Sequence, residues 1–400
     1  MVIKERAFGS IDSPESRIVP IVQNEINELA YQGYDVANVG IVDQYALDTH
    51  RQSYIDDVVR SLEDSEDGYN TFRSYPGISA WAPLTKRAIA LHTLYNPLGR
   101  YVGEGIDSQV YSTPLFNGKS AAEVLAGTRG AEKADKIISD YARFISGIID
   151  DGGLEHIGSR DFFQGVVDAK AVRTRANSAM ELVASHIQDM ERSGSDSQAL
   201  ISASLACGAA GPVYNLVNGL EQKGYNFSNI VLVDSDPMAL ATAVSLSEHS
   251  SLKDKVEIQL RDLLLDSLTD FIDPQSVDIV DLLGLFEYLP TEMGIDLLKK
   301  VQAIVKPGGM IVFGNMLNQR PQQDFFDNVV SWPRLEQRPI SGVIDIIDKA
   351  GFNSKEDMQV RIPNEGVYAI YGIVNRGLSD TKVRVQSVAE DLGLSEVEKY

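Results

Sequence analysis

Gly208 and Gly211 follow an apolar run, Ala199 to Leu205, and Asp234 closes the next one, Ile230 to Val233. Between them Gly211-Pro212 opens a helical pattern. A strand, a glycine turn at a helix N-terminus and an acid at the next strand's end make a nucleoside-binding unit. The turn lets a ligand approach the backbone, and a strand-end carboxylate can accept hydrogen bonds from both ribose hydroxyls. Asp234 has a competing role as a helix cap. Asp236 suits that role better, because it directly precedes Pro237, and Asp234 is left for the ribose.

Cys207 is the single cysteine, so no intramolecular disulfide or cysteine-rich zinc site can form. Its neighbours are small and apolar and no histidine is near in sequence, which reads as a buried thiol. The histidines (His50, His92, His156, His186, His249) show no metal-ligand spacing, and no metal is expected.

The elements that must position these residues fall into two halves. From about Ser13 to Gly153 the pattern is helical. Ile18 to Leu29 has one apolar face, Val42 to Leu62 another, and Ser120 to Ile149 a third, longer one. Asp151-Gly152-Gly153 reads as a hinge, and Asp161 to Met190 as one long amphipathic helix. Strands at about 199–206, 229–234, 256–261, 276–283 and 309–314 then alternate with helices at about 212–223, 237–248, 291–305 and 322–330. Such alternation predicts a parallel sheet covered by helices. After a helix at about 340–350 come two strands, Met358 to Ile362 and Gly366 to Val374, separated by Pro363-Asn364-Glu365. Three residues cannot hold a crossover helix, so this pair is antiparallel. The expected division is a mainly helical unit over 1–155, a sheet unit over 156–375 and a polar tail over 376–400.

The chain has 400 residues, 44% hydrophobic and 8% aromatic, with a formal net charge of −21. A negative field of that size disfavours nucleic acid and anionic membrane as partners and suits a small molecule or another protein. The N-terminus has no apolar signal core and no run is long enough to span a bilayer. The expectation is a soluble, cytoplasmic protein without membrane insertion; self-association into a homo-oligomer stays open.

A doubly wound sheet ending in an antiparallel hairpin resembles the class I S-adenosylmethionine-dependent methyltransferase family. Five segments carry the resemblance in order. Leu205-Ala206-Cys207-Gly208-Ala209-Ala210-Gly211 is similar to the family's glycine-rich loop, and Val233-Asp234-Ser235-Asp236-Pro237 to its second motif. Leu260-Arg261-Asp262-Leu263 is similar to the segment that sets an acid beside the adenine. Ser276 to Leu289 resembles the fourth motif, and Lys306-Pro307-Gly308-Gly309 the turn before the fifth strand. A narrower resemblance links Phe313-Gly314-Asn315, Trp332 and Arg338 to a bacterial group that forms methyl esters of 3-hydroxy fatty acids.

The resemblance implies a mostly parallel seven-stranded sheet with a terminal antiparallel hairpin, beside a mainly helical N-terminal domain. It implies S-adenosyl-L-methionine as cofactor, held by Ala206, Cys207, Gly208, Gly211, Asp234, Ser235, Arg261, Asp262, Leu263, Leu283 and Gly284. Arg173 or Arg175 would meet the cofactor's carboxylate, or else pair with Asp168 or Glu181 on the helix surface. Glu287, Tyr288 and Asn315 would lie at the methyl site as catalytic candidates. The family's loop has an acid where this chain has Ser204, and a glycine where it has Ala206. The cofactor's amino group would then need backbone carbonyls or another residue, Asp281 being one candidate.

The implied activity is methyl transfer to a small-molecule acceptor, a carboxylate or a hydroxyl. The alternatives are transfer of the cofactor's aminocarboxypropyl or aminopropyl arm, or a non-catalytic protein that binds the cofactor. An NAD-binding oxidoreductase is disfavoured by the hairpin and by the absent GlyXaaGlyXaaXaaGly pattern.

Overall fold

A computed structural model of the chain describes residues 16–41, 49–67, 165–192, 199–208, 210–235, 239–240, 243–244, 247, 251–330 and 335–377. The helix expected over Ser120 to Ile149, the hinge at 151–153, Trp332 and most of the C-terminal tail lie outside these residues.

Five segments form the parallel part of the sheet as the alternation predicts: β2 (Leu200–Leu205), β3 (Phe227–Asp234), β4 (Val256–Leu260), β5 (Val277–Leu282) and β6 (Val305–Met316). The hairpin adds β7 (Met358–Pro363) and β8 (Tyr368–Val374), paired antiparallel. β8 also runs antiparallel to β6 and lies between it and β7. With β1 (Asp35–Val39) at one edge, the full order is β1-β7-β8-β6-β5-β2-β3-β4. β5 is buried along its whole length, as a central strand covered on both faces must be.

Helices cover both faces. α3 (Val167–Arg192) and α4 (Gly211–Glu221) pack on one side, where Leu182, Val213, Leu216 and Leu220 meet Ile230, Leu232 and Val312 of the sheet. On the other side lie α1 (Pro20–Tyr31), α5 (Thr291–Ile304) and α6 (Ile340–Lys349), where Ile26, Leu298 and Ile347 join Leu205, Val280 and Phe313.

The expected seven strands are eight among the described residues. The additional one, β1 (Asp35–Val39), pairs parallel with β7 at the sheet's edge. Its sequence, Asp35-Val36-Ala37-Asn38-Val39, is short and interrupted by two residues that strands disfavour, so it carries no strand signal. Position makes it a strand: β7 offers an open edge, and Arg361 grips the Asp35 carboxylate at 2.7 and 3.1 Å.

Other N-terminal contacts are equally specific. Glu25 of α1 accepts the backbone N–H groups of Ser341 (2.9 Å) and Ile340 (3.3 Å), and so caps α6, which has no cap of its own. α2 (Thr49–Glu63) places Glu63 on the Phe325 N–H at 3.2 Å. Phe325–Val330, expected as α-helix, winds as a wider π-helical turn.

β6 begins earlier than the expected position 309, taking in the whole Lys306-Pro307-Gly308-Gly309 stretch. Lys306 holds the Asp278 carboxylate through both oxygens at 2.8 Å, and Gly308 adopts φ 85°, a conformation that favours glycine. This motif secures the amino end of the sheet, opposite the site described next.

Candidate functional site at the carboxyl ends of β2, β3 and β5

β2 lies between β3 and β5. The chain leaves β2 toward β3 and β4, then returns on the other side as β5. This is the switch point of a doubly wound sheet, where a crevice opens beyond the carboxyl ends of the strands.

The turn leaving β2 is tightly constrained. Ala206, Gly208 and Ala210 all have left-handed backbone, with φ of 54°, 54° and 58°. Glycine adopts this region freely, whereas alanine does so at a cost of about 1–2 kcal/mol. The turn is held on β3: Cys207 N–H donates to the Val233 carbonyl at 3.1 Å, and Gly208 N–H to Asp234 Oδ2 at 2.8 Å. α4 then starts at Gly211 with no side-chain cap. A side chain at Gly211 would meet nothing within 4 Å. An open approach, N–H groups at a helix start and a half-buried carboxylate therefore share one corner.

The remaining members expected on this side are more dispersed. Cys207 is buried, with its thiol against the Gly208 carbonyl at 3.4 Å. Ser235 is exposed. Arg261 joins β4 to β3 through its N–H on the Asp234 carbonyl and lays its guanidinium over Phe271. Asp262 Oδ1 accepts the Leu264 N–H at 2.9 Å, a turn-capping contact. Leu263 is buried in the core and gives its carbonyl to Lys300 at 3.0 Å.

On the β5 side the charges are buried. Ser204 of β2 and Asp281 of β5 are register partners, and the Ser204 hydroxyl donates to Asp281 Oδ1 at 2.9 Å. Asp281 is 4% exposed, and its Oδ2 has no hydrogen-bond partner among the described residues. Burial pushes its carboxyl up to about 7, against the opposing effects of Ser204 and Arg175.

Past Leu283 and Gly284, a short helical turn carries Glu287, also buried. Glu287 Oε1 receives Arg175 Nη1 and the Tyr368 hydroxyl, each at 3.2 Å. Burial raises the Glu287 carboxyl, and Arg175 opposes that rise. The Arg175 guanidinium stacks over the Tyr368 ring, 4.8 Å from its centre. Gly284 leaves the space it fills: a Cβ there would come within 3.5 Å of Arg175 Nη2.

Of the two arginines read on α3, Arg175 reaches this cluster. Arg173, two residues away and so about 200° around the helix, is half-buried on another face. Asp168 pairs instead with Arg320, at 2.6 Å. Tyr288 is half-buried beside Glu287. Asn315 is buried and commits its amide group internally: it donates to the Met316 carbonyl (2.7 Å) and accepts from Arg338 (2.9 Å). Arg338 also serves the carbonyls of Phe286 and Leu289, bracing the loop that carries Glu287.

Tyr368 had no signal in the sequence, because a tyrosine opening a buried strand reads as core. The pairing of Ser204 with Asp281 could be anticipated only from their being on adjacent strands.

No family model matches the chain, and no curated protein sequence does. Among solved structures, a protein described as a possible exported protein from Bordetella parapertussis is 15% identical, with a TM-score of 0.47 over 75% of this chain and 97% of its own. A riboflavin-derivative dimethyltransferase from Streptomyces davawensis is 18% identical, with a TM-score of 0.37 over 54% of this chain and 58% of its own. Human N-acetylserotonin methyltransferase, in complex with S-adenosylmethionine, is 18% identical, with a TM-score of 0.36 over 51% of this chain and 56% of its own. The chain thus spans less than two thirds of the length of both methyltransferases. Likenesses this distant assign no family. Among the described residues no helix is long and apolar enough to cross a membrane, and no cluster of His, Cys, Asp and Glu is arranged to hold a metal ion.

Proposed function

We propose that the chain binds S-adenosylmethionine at the switch point and transfers its methyl group to a carboxylate or hydroxyl of a small molecule. The observation that carries this reading is the corner formed by Asp234, the Gly208 amide and the open approach above Gly211. It sits in a doubly wound sheet whose antiparallel β8 is inserted between β6 and β7. An adenosyl ligand fits that corner. The Asp234 carboxylate takes the ribose hydroxyls, and the open space beside Gly211 admits the ligand.

When bound, the cofactor supplies an electrophilic methyl group on a sulfonium. The chain's own part is to orient the partners and exclude water, which supplies most of the rate in a displacement of this kind. A carboxylate acceptor needs no base. A hydroxyl acceptor must lose a proton, and this reading assigns that task to Glu287, whose proton affinity is raised by burial.

Asp234→Ala should weaken S-adenosylmethionine binding by about 1.5–3 kcal/mol in a calorimetric titration, the loss of a set of charged hydrogen bonds. Unchanged affinity would show that the ribose lies elsewhere. Product analysis separates methyl transfer from transfer of the cofactor's arm: S-adenosylhomocysteine marks the first and methylthioadenosine the second. Cofactor binding with no turnover on any acceptor would leave a binding protein.

A further inference from the structure

We propose that Asp281 is the receptor for an alkylammonium group, the α-ammonium of the adenosyl ligand, and that Ser204 is the residue that positions it. This inference rests on the reading of the switch point as an adenosyl site.

The carboxylate is unusual in its setting. It lies one residue before the end of β5, beside the strand whose turn forms the candidate site. One oxygen is fixed by the Ser204 hydroxyl at 2.9 Å. The other is buried and has no hydrogen-bond partner among the described residues. A buried carboxylate oxygen without a donor costs free energy unless something fills the role, and the natural complement is a cation.

Neighbouring groups do not fill it. Arg175 bears on Asp281 electrostatically but directs Nη1 to Glu287 and stacks on Tyr368. Glu287 has its own unpartnered oxygen, Oε2. Glu287 thus draws on both Arg175 and Arg338, whereas Asp281 has only the Arg175 guanidinium acting on it, already committed to Glu287; burial lifts the proton affinity of both carboxyls. An arriving ammonium would give Asp281 a cation of its own.

Position selects the source of that ammonium. Asp234 ends β3 and Asp281 nears the end of β5, with β2 between them. Two inter-strand spacings put these strands about 10 Å apart. That span is comparable with the distance from the ribose hydroxyls to the α-amino nitrogen of an extended S-adenosyl amino acid. One ligand can thus lie across the β2 turn with its ribose on Asp234 and its amine on Asp281. An amine of a separate substrate would present the same chemistry, and the choice of probes distinguishes the two.

The test uses the full chain and three ligands in calorimetric titrations. S-adenosylhomocysteine carries both ammonium and carboxylate, S-adenosyl-3-thiopropylamine keeps only the ammonium, and methylthioadenosine has neither. The wild type should bind both amines more tightly than methylthioadenosine. Asp281→Asn should weaken the two amines by about tenfold or more while leaving methylthioadenosine within about threefold, the scale of one charge-assisted hydrogen bond. Retained methylthioadenosine binding also certifies that the variant is folded.

The exchange Ser204→Asp with Asp281→Ser moves the acid one strand over and should restore the preference for amines. Asp281→Asn that keeps the full preference overturns the proposal and leaves the adenosyl site standing. So does a wild type that binds all three ligands equally, because the ligand's amine then contributes nothing at Asp281. A wild type that binds none of the three overturns the adenosyl reading itself, and this proposal with it.

Discussion

β2 has an acid on each side of its carboxyl end, and the two are held in opposite ways. Asp234, toward β3, is half-buried and steadied by a backbone amide. Asp281, toward β5, is buried and steadied by a side-chain hydroxyl. The first stands where water and ligand compete for the same hydrogen bonds. The second is in a setting where charge is expensive, and it belongs to a connected group with Arg175, Glu287 and Tyr368. One side of the crevice is a ready-made acceptor. The other stores unfavourable electrostatics that a ligand can relieve.

If that contrast is right, truncation should be felt very differently on the two sides. Glu287→Ala leaves the buried Arg175 guanidinium without its carboxylate and should cost about 3–5 kcal/mol in urea unfolding. Asp234→Ala in the same assay should cost less, about 1.5–2 kcal/mol, because water replaces hydrogen bonds that a half-buried carboxylate makes at the crevice. Equal losses would erase the distinction.

A pH series sharpens it further. The Asp281 carboxyl, lifted to about 7, keeps its proton in the folded chain over a range where the unfolded chain has already lost it. Folding therefore takes up a proton between about pH 4 and pH 7, and Asp281 contributes less stability as pH rises through that window. Asp281→Asn cannot ionise. Its melting temperature relative to the wild type should climb from pH 5 to pH 8, by an amount equivalent to about 2 kcal/mol. Asp168, also lifted to about 7, titrates in both proteins and cancels in the difference. A flat difference would mean that Asp281 stays charged throughout.

The smallest effect tests the turn itself. Ala206→Gly relieves a left-handed alanine but frees the unfolded chain, for a net gain of about 0.5 kcal/mol. A loss in chemical denaturation would show that the methyl group packs usefully against the core.

The same contrast explains what the sequence could disclose. Gly208 and Asp234 are 26 residues apart in one strand–helix–strand unit, so spacing alone exposes them. The hairpin was readable for the same reason, because Pro363-Asn364-Glu365 leaves no room for a crossover. Arg175 and Glu287 are 112 residues apart and meet only when α3 crosses the sheet. On the helix nothing local separates Arg175 from Arg173; only the buried partner does. β1 was hidden because its residues have no strand pattern of their own and borrow order from β7. Local chemistry was visible, and chemistry assembled by packing was not.

β1 has a kinetic consequence as well. Arg361 and the Asp35 it grips are separated by 326 residues. A contact of that separation closes a very large loop, and topologies rich in such contacts fold slowly. During synthesis α1 and β1 emerge early, yet the edge that receives them is almost the last part of the sheet to be made. The Glu25 cap on α6 likewise closes a separation of 316 residues. The segment that carries α1 and β1 is thus a late-docking clasp, and an interrupted synthesis would release a sheet whose β7 edge has not yet been covered.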